Sequence, residues 1–251
     1  MLNFFERLTQ PFPNDTPVQP PKGIWAFCRH YTRGMEMPLI FMSVLTTVVA
    51  VLEVALFGFM GQLVDWLVSR DPETLLQQEG SKLVLMGLIL LVVLPLAVLI
   101  HNLLVHQSLL GNYPMQIRWQ AHRYLLGQSV AFYQNDFAGR IATKVMQTAL
   151  SVRETVMKLL DVLVYVSVYF LSMLVMLAQL EWRLMLPMIA WLGIYAGLLA
   201  WFVPKLKKIS TAQADARAGM TGRLVDSYTN IQTVKLFSHS KRESGYAHEG
   251  M

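Results

Sequence analysis

The sequence predicts an all-α polytopic membrane protein, a bundle of transmembrane helices with long cytosolic helical extensions. Hydrophobic residues make up 54% of the 251 residues and charged residues only 15%, against roughly a quarter in soluble domains. The apolar residues are gathered in blocks of about 20, long enough to cross the ~30 Å hydrocarbon core of a bilayer as helices. These blocks lack the period-2 alternation of barrel strands, so helices are expected to pair their backbone groups in lipid.

The N-terminal segment, residues 1–23, is predicted to be a flexible, proline-rich cytosolic tail. No continuous apolar run typical of a signal peptide occurs over Met1–Gln10, so we expect the first span itself to direct insertion. Residues 24–33 then mix aromatic and basic side chains, which is typical of an amphipathic helix at the membrane surface. The alternative is an ordinary helix start. The rest of the chain, residues 24–251, is predicted to form the N-terminal part of a membrane domain.

Four membrane spans are predicted in this domain. The first contains one ionisable residue near its middle, Glu53, and a hairpin of only three residues, Glu181–Arg183, separates the last two. The predicted spans cover about residues 38–67, 83–109, 159–180 and 184–203.

The charged residues predict how the chain is oriented. Basic residues are concentrated between the second and third spans and after the fourth, whereas the loop after the first span mixes basic and acidic residues. Since cytosolic loops carry an excess of Lys and Arg, the tail and the two long segments 110–158 and 204–251 are predicted to be cytosolic. The net charge of +5 is spread between apolar blocks and does not form one basic stripe, so we do not expect nucleic-acid binding.

Both cytosolic segments are predicted to be helical arms. The second span is predicted to continue as one helix from Leu83 to Phe132, because residues 101–132 contain no cluster of Gly, Ser and Pro, although Pro114 could kink it. A helix of that length measures about 75 Å at 1.5 Å per residue, so about 45 Å would project beyond the hydrocarbon. After a break at Gln134–Gly139, residues 140–158 are predicted to return to the membrane as a second helix.

Two stretches within these arms resemble ABC exporters. The segment 132–141, FYQNDFAGRI, is similar to the first intracellular loop of that family, and the segment 222–237, GRLVDSYTNIQTVKLF, resembles the second. The family usually has Glu where Asp226 stands and Gly near Asn230, so the second loop departs from the pattern. The order of elements also matches the family: surface helix, two spans, arm, two spans with a tiny hairpin, arm.

The resemblance implies six spans per half-transporter, dimerised, with a nucleotide-binding domain after the sixth span. It also implies that each arm ends in a coupling helix that docks on that domain. The aromatic residues would be apolar anchors, and Asp136, Arg140 and Asp226 would fix orientation. The first coupling helix would comprise Phe132, Tyr133, Gln134, Asn135, Asp136, Gly139 and Arg140, and the second Asp226, Ser227, Tyr228, Thr229 and Asn230.

No G-x-x-x-x-G-K-[ST] phosphate-binding motif occurs, so no catalytic residue and no bound cofactor are expected in this chain. We expect the chain to be part of a longer exporter, in which ATP and Mg²⁺ would act on the nucleotide-binding domain. The expected partners are that domain, a second identical or different half-transporter, and membrane lipid. The expected location is the bacterial inner membrane. Whether the protein acts as an ATP-hydrolysing translocase depends on the longer protein.

Glu53 is a candidate cavity residue, because an ionisable group within a span is costly unless it faces water or protein. The alternative is a hydrogen-bonded Glu inside the bundle. His101 and His106 are five residues apart, a poor spacing for a metal site, and Asp161 is expected to pair locally with Lys158. A secondary transporter or channel that uses Glu53 is the alternative function, but it predicts repeats and interrupted spans. A membrane-bound enzyme would need a nucleophile or metal motif, and none is visible.

Overall fold

The computed structural model describes residues 5–16, 18–69, 72–134, 138–236, 244–245 and 248, and these residues form helices and turns without a strand. The chain divides into two compact units, residues 1–180 and residues 181–251. Each predicted span falls within one long apolar helix, so the all-α polytopic fold is confirmed. The helices long and apolar enough to cross a membrane are Glu36–Ser69, Gln77–Leu126, Ile141–Leu180 and Trp182–Gln213.

A surface helix and the first span are joined by a sharp turn. Helix α1 (Ile24–Thr32) ends just before Gly34, and helix α2 (Glu36–Ser69) begins just after it. Gly34 has φ +85°, a conformation that side chains with a Cβ rarely adopt. Its backbone N–H donates to the Glu36 carboxylate at 2.7 Å, which fixes the first turn of α2.

The second membrane helix is continuous but widens twice. Its α-helical parts are α3 (Pro72–Leu88), α4 (Leu94–Leu103) and α5 (Leu110–Leu126), separated by π-helical segments over Ile89–Val93 and Leu104–Leu109. Each π segment lies a few residues before a proline, Pro95 or Pro114. Proline lacks the N–H of the helical ladder and clashes with the carbonyl four residues earlier, so the backbone is disturbed upstream of it.

The second helix ends earlier than the sequence analysis predicted. We expected a continuous helix to Phe132, but α5 stops at Leu126 and Gly127 forms a turn. A separate short helix, α6 (Val130–Gln134), follows. Its start is capped by Ser129, whose carbonyl and hydroxyl both accept from the Phe132 N–H, at 3.0 and 3.4 Å.

The third membrane helix returns along the second. It consists of α7 (Ala138–Met157), a π-helical segment over Lys158–Leu163, and α8 (Val164–Leu180). Helix α7 packs on α5, and α8 packs on α2. The Arg153 guanidinium donates to the Leu110 carbonyl at 3.3 Å. That carbonyl would bond to the residue at position 114, but Pro114 has no N–H, so the arginine supplies the missing donor.

The second unit is dominated by one helix. After a single 3₁₀ turn at Trp182–Leu184, helix α9 runs from Met185 to Thr229, and helix α10 covers Ile231–Leu236. The 45 residues of α9 span about 68 Å at 1.5 Å per residue. The apolar span and the beginning of the second arm are therefore one uninterrupted helix that contains Pro204.

The best-packed part of the first unit lies where the first three spans meet the surface helix. We call this group of buried side chains the junction cluster. Its residues come from the end of α1, the turn before α2, the start of α2, the π segment before α5, α5 itself and α7. Its members are Tyr31, Met35, Leu39, Met42, Leu104, Leu109, Tyr113, Ile117, Ala149, Val152 and Val156.

Polar bonds hold the junction cluster together. The Tyr113 and Thr32 hydroxyls lie 2.7 Å apart, which links α5 to α1. The buried Gln116 side chain donates to the Arg33 carbonyl at 2.6 Å, beside the turn at Gly34. A buried amide without a partner would cost about 1–3 kcal/mol, so this bond fixes the register between α5 and the turn.

The N-terminal segment lies along α5. Asn112 donates to the Thr9 hydroxyl at 2.7 Å, and both Trp119 and Arg123 donate to the Pro13 carbonyl at 3.0 Å. The prolines of this segment keep it extended, so its free carbonyls face the donors of α5. The predicted tail is thus in contact with the first arm over more than three helical turns.

Candidate functional site

The aromatic pair at the end of the first arm is exposed. The rings of Phe132 and Tyr133 pack edge to face with centroids 5.3 Å apart. The Tyr133 hydroxyl donates to the Leu125 carbonyl at 2.7 Å, and the same carbonyl accepts from the Gln128 N–H at 2.8 Å at the end of α5. The hydrogen bond holds Tyr133 against the end of α5, while Phe132 remains 37% exposed and Tyr133 40% exposed.

Part of the first predicted coupling helix lies outside the described residues, namely Asn135 and Asp136. For Gln134, Gly139 and Arg140 the backbone is helical, Gln134 at the end of α6 and the other two at the start of α7. The predicted docking role of these five residues stays a prediction.

The second predicted coupling segment coincides with a helix break. Asp226, Ser227, Tyr228 and Thr229 form the last turn of α9, and Asn230 is the turn residue before α10. The Asn230 carbonyl accepts from the Val234 N–H at 3.0 Å and so begins the new helix. Tyr228 is 69% exposed. Helix α9 therefore ends within the segment 222–237, which resembles the second intracellular loop of the family.

Glu53 has a partner on the third membrane helix. The Tyr165 hydroxyl donates a hydrogen bond to the Glu53 carboxylate. Tyr165 in turn stacks on Tyr169, with ring centroids 5.8 Å apart. Glu53, a residue of α2, is half-buried on the side of that helix that faces Tyr165 of α8. The sequence separates the two partners by 112 positions, so no local spacing pointed to Tyr165.

A second polar group joins three membrane helices. The Thr46 hydroxyl of α2 donates to the Asp161 carboxylate at 2.6 Å. His101 Nε2, at the end of α4, lies 3.1 Å from that same carboxylate oxygen and 3.1 Å from the Thr46 hydroxyl. Thr46 is buried. This group was missed by the sequence analysis, because its three members lie on different helices.

The local pairing expected for Asp161 is wrong. We predicted an ion pair with Lys158, three residues earlier, but the carboxylate turns to Thr46 and His101. The reason is the π-helical segment that contains both Lys158 and Asp161. A π turn has more than four residues, so side chains three apart no longer lie on one face.

Among the described residues, no group of three or more His, Cys, Asp or Glu side chains is arranged to hold a metal ion. The polar groups of the membrane helices described above form hydrogen bonds between helices. They link helices and orient one another, and the exposed aromatic residues at the ends of the arms offer apolar contact area.

Two comparisons with known proteins give the same family. The sequence model of the ABC transporter transmembrane region matches residues 39–244. An uncharacterized ABC transporter ATP-binding protein of Haemophilus influenzae is 44% identical over 254 residues, an alignment that covers 100% of this chain and 41% of the relative. The chain thus spans about two fifths of the length of the curated relative it matches. No solved structure matches it significantly.

Proposed function

Since this chain belongs to the family of ABC transporter transmembrane regions, we propose that it is the membrane-spanning portion of an ATP-driven exporter for a lipid-like or amphipathic compound. One observation carries the proposal. Helices that begin in the membrane continue far beyond their apolar stretches, as the second membrane helix (Gln77–Leu126) and α9 do, and each ends in a break beside exposed aromatic residues. Such extensions can transmit the movement of a motor domain to the bundle.

The ends of the arms are the proposed coupling helices. Phe132, Tyr133 and Tyr228 offer ring area that the chain itself does not cover, and aromatic anchors provide much contact energy at low conformational cost. Asp136, Arg140 and Asp226 would then orient the contact through charge rather than add much affinity. The polar members Gln134, Asn135, Ser227, Thr229 and Asn230 would line the edges of the contact, with Gly139 in the first turn of α7.

The proposed partner is a nucleotide-binding domain in the same longer protein. Two facts support this partner: the relative is described as an ATP-binding protein, and the chain covers only 41% of its length. ATP and Mg²⁺ would bind there, where closure of two such domains would move the arms. We further propose that the transporter works as a homodimer or heterodimer of halves, in a bacterial inner membrane, with the arms in the cytosol. The distribution of Lys and Arg supports that orientation.

Glu53 is the proposed polar residue of the transport cavity. Its bond to Tyr165 keeps the carboxylate between two spans, where separation of the helices would free it for an amphipathic substrate. A cationic or hydrogen-bonding headgroup is the chemistry that a freed carboxylate would recognise. The methionine and aromatic side chains of the spans can repack around varied apolar groups, which favours an amphipathic substrate over a small ion.

The test uses the intact transporter and its substrate-stimulated ATPase. We expect Tyr133→Ala and Tyr228→Ala each to lower the stimulated rate by about 10-fold or more, the loss typical of an anchor worth ~1.4 kcal/mol, while basal ATPase changes little. Val130→Ala is the matched control, because Val130 is 73% exposed in the same short helix as Tyr133. Unchanged stimulation in both tyrosine variants would remove the docking assignment.

Orientation is tested separately with a cysteine at position 229. Thr229→Cys in a Cys28→Ser background should react with a membrane-impermeant maleimide only from the cytosolic side. Reaction from the outside would refute the proposed topology. Transport that continues without ATP hydrolysis and is lost in Glu53→Gln would instead favour a secondary transporter.

A further inference from the structure

A groove of about 700 Å³ lies between the surface helix α1 and the start of the third span. This volume is within the ~300–1,000 Å³ range of sites for small molecules. The groove belongs entirely to the first unit, next to the junction cluster. Its apolar lining comprises Ile24, Trp25, Cys28, Val156, Leu159 and Leu160.

Two basic side chains stand at the rim of this groove. Arg29 of α1 and Lys158 of the third helix line it from opposite elements and are both exposed. Within the described part of the chain, neither forms an ion pair. The one acidic lining residue, Glu36, accepts the Gly34 N–H at 2.7 Å and keeps its negative charge. With two basic residues and one acidic residue in the lining, the groove keeps a formal positive charge.

The groove lies at the edge of the membrane. The apolar run of the first span begins just after Glu36, and that of the third begins at Leu159. Trp25, which is 74% exposed on α1, is the kind of residue that concentrates at the level of lipid headgroups. We therefore expect the apolar lining to be level with acyl chains and the basic rim to be level with phosphates.

We propose that this groove binds one anionic glycerophospholipid from the leaflet on the side of the N-terminus. One acyl chain would lie on the apolar lining, and the phosphate would lie between Arg29 and Lys158. Basic pockets between membrane helices have the chemistry that anionic headgroups require. The site is distinct from the transport function proposed above, because it does not depend on the exported compound or on which side of the membrane is cytosolic.

Cys28 is the single cysteine of the chain and lines the groove. Its rate of alkylation therefore measures how accessible the lining is. The 251-residue chain is reconstituted in nanodiscs of phosphatidylcholine, with or without phosphatidylglycerol, and its alkylation by uncharged N-ethylmaleimide is timed. Burial raises the pKa of the Cys28 thiol, so an alkaline buffer is used. Retained phosphatidylglycerol is counted by native mass spectrometry of the same samples.

We expect phosphatidylglycerol to slow alkylation and to remain bound as one molecule per chain. Arg29→Gln and Lys158→Gln should each weaken protection about fivefold, the factor that corresponds to ~1 kcal/mol per basic residue at an anionic surface. Arg33→Gln is the matched control, because this exposed arginine lies near the same helix end but does not line the groove. Arg33→Gln also removes one positive charge, but we expect phosphatidylglycerol to protect Cys28 from alkylation as well as it does in the wild-type chain.

Three results would overturn the proposal. The first is equal alkylation rates in both lipids. The second is protection that survives in the Arg29→Gln/Lys158→Gln double variant, which would reflect the surface charge of the bilayer alone. The third is equal protection by inorganic phosphate in phosphatidylcholine nanodiscs, which would indicate a phosphate site without a role for the acyl chain.

Discussion

The junction cluster and the ends of the two arms differ in how their large side chains are used. At the junction, Met35, Met42 and Tyr113 are completely buried, and the polar atoms of the adjoining turn are hydrogen-bonded within the chain. At the ends of the arms, Tyr133 and Tyr228 leave 40% and 69% of their surface accessible.

This difference separates residues that stabilise the fold from residues available to a partner. A buried side chain stabilises through the contacts it already has, and its loss leaves a cavity. An exposed aromatic ring contributes little to folding but offers area for association. The largest effects on stability are therefore expected at the junction, and the smallest at the ends of the arms.

The largest effect is expected from Leu39→Ala. Leu39 is 1% exposed within the junction cluster, so its truncation should cost about 2–5 kcal/mol. In a thermal scan of the detergent-solubilised chain, each kcal/mol corresponds to about 2–4 °C in Tm. Ile40→Ala is the matched control, since the neighbouring Ile40 is 57% exposed. Equal shifts in Tm for both variants would contradict the assignment of the junction cluster as the core.

The next effect is expected from Asp161→Ala. This change removes the carboxylate that accepts from the buried Thr46 hydroxyl at 2.6 Å and leaves His101 Nε2 at 3.1 Å as its partner. Loss of a hydrogen bond to a charged group should cost about 1.5–3 kcal/mol. In a double-mutant cycle with Thr46→Val, we expect a coupling energy of about 0.5–3 kcal/mol. Asp65→Ala, at an exposed position of the first span, serves as the control. Additive effects of Asp161→Ala and Thr46→Val would refute the link between the first and third spans.

A smaller effect is expected where the N-terminal segment contacts α5. Trp119→Phe keeps a smaller aromatic ring but removes the indole N–H that donates to the Pro13 carbonyl, which should cost about 0.5–1.5 kcal/mol. The segment would then open more often, and trypsin should cleave after the exposed Arg7 about 2–10 times faster. The same substitution at Trp66 should leave this rate unchanged. Cleavage at the wild-type rate in Trp119→Phe would show that the bond does not hold the segment.

The smallest effect on stability is expected from Tyr228→Ala. Because this side chain is mostly exposed at the end of α9, the free energy of unfolding should change by no more than about 0.5 kcal/mol. The thermal scan used for Leu39→Ala measures it. A fall in Tm as large as that of Leu39→Ala would mean that Tyr228 stabilises the chain itself, and it would weaken the case for a docking surface.

The membrane spans could be predicted well from the sequence because their signal is local. Twenty consecutive apolar residues have few alternatives in lipid, so the four spans and the long α9 follow from composition and spacing alone. The resemblance that selected the segment near Asn230 also rests on consecutive residues, and the helix break falls there. The end of α5 at Leu126 was harder to predict, since one glycine within a helical pattern is often tolerated.

The sequence by itself determined that the chain crosses a membrane as helices, where the apolar runs lie and which segments carry the basic charge. Only the tertiary structure decided which helix Glu53 and Asp161 bond to, because their partners Tyr165, Thr46 and His101 are separated from them by 60 or more positions. The π-helical segment at Lys158–Leu163 is likewise seen only in the structure, where Asp161 bonds to other helices and not to Lys158. The free energy of transferring an apolar residue into lipid depends on the surface of that residue alone, so it can be read from the sequence. The hydrogen-bond partner of a buried polar group depends on which other helices pack against it.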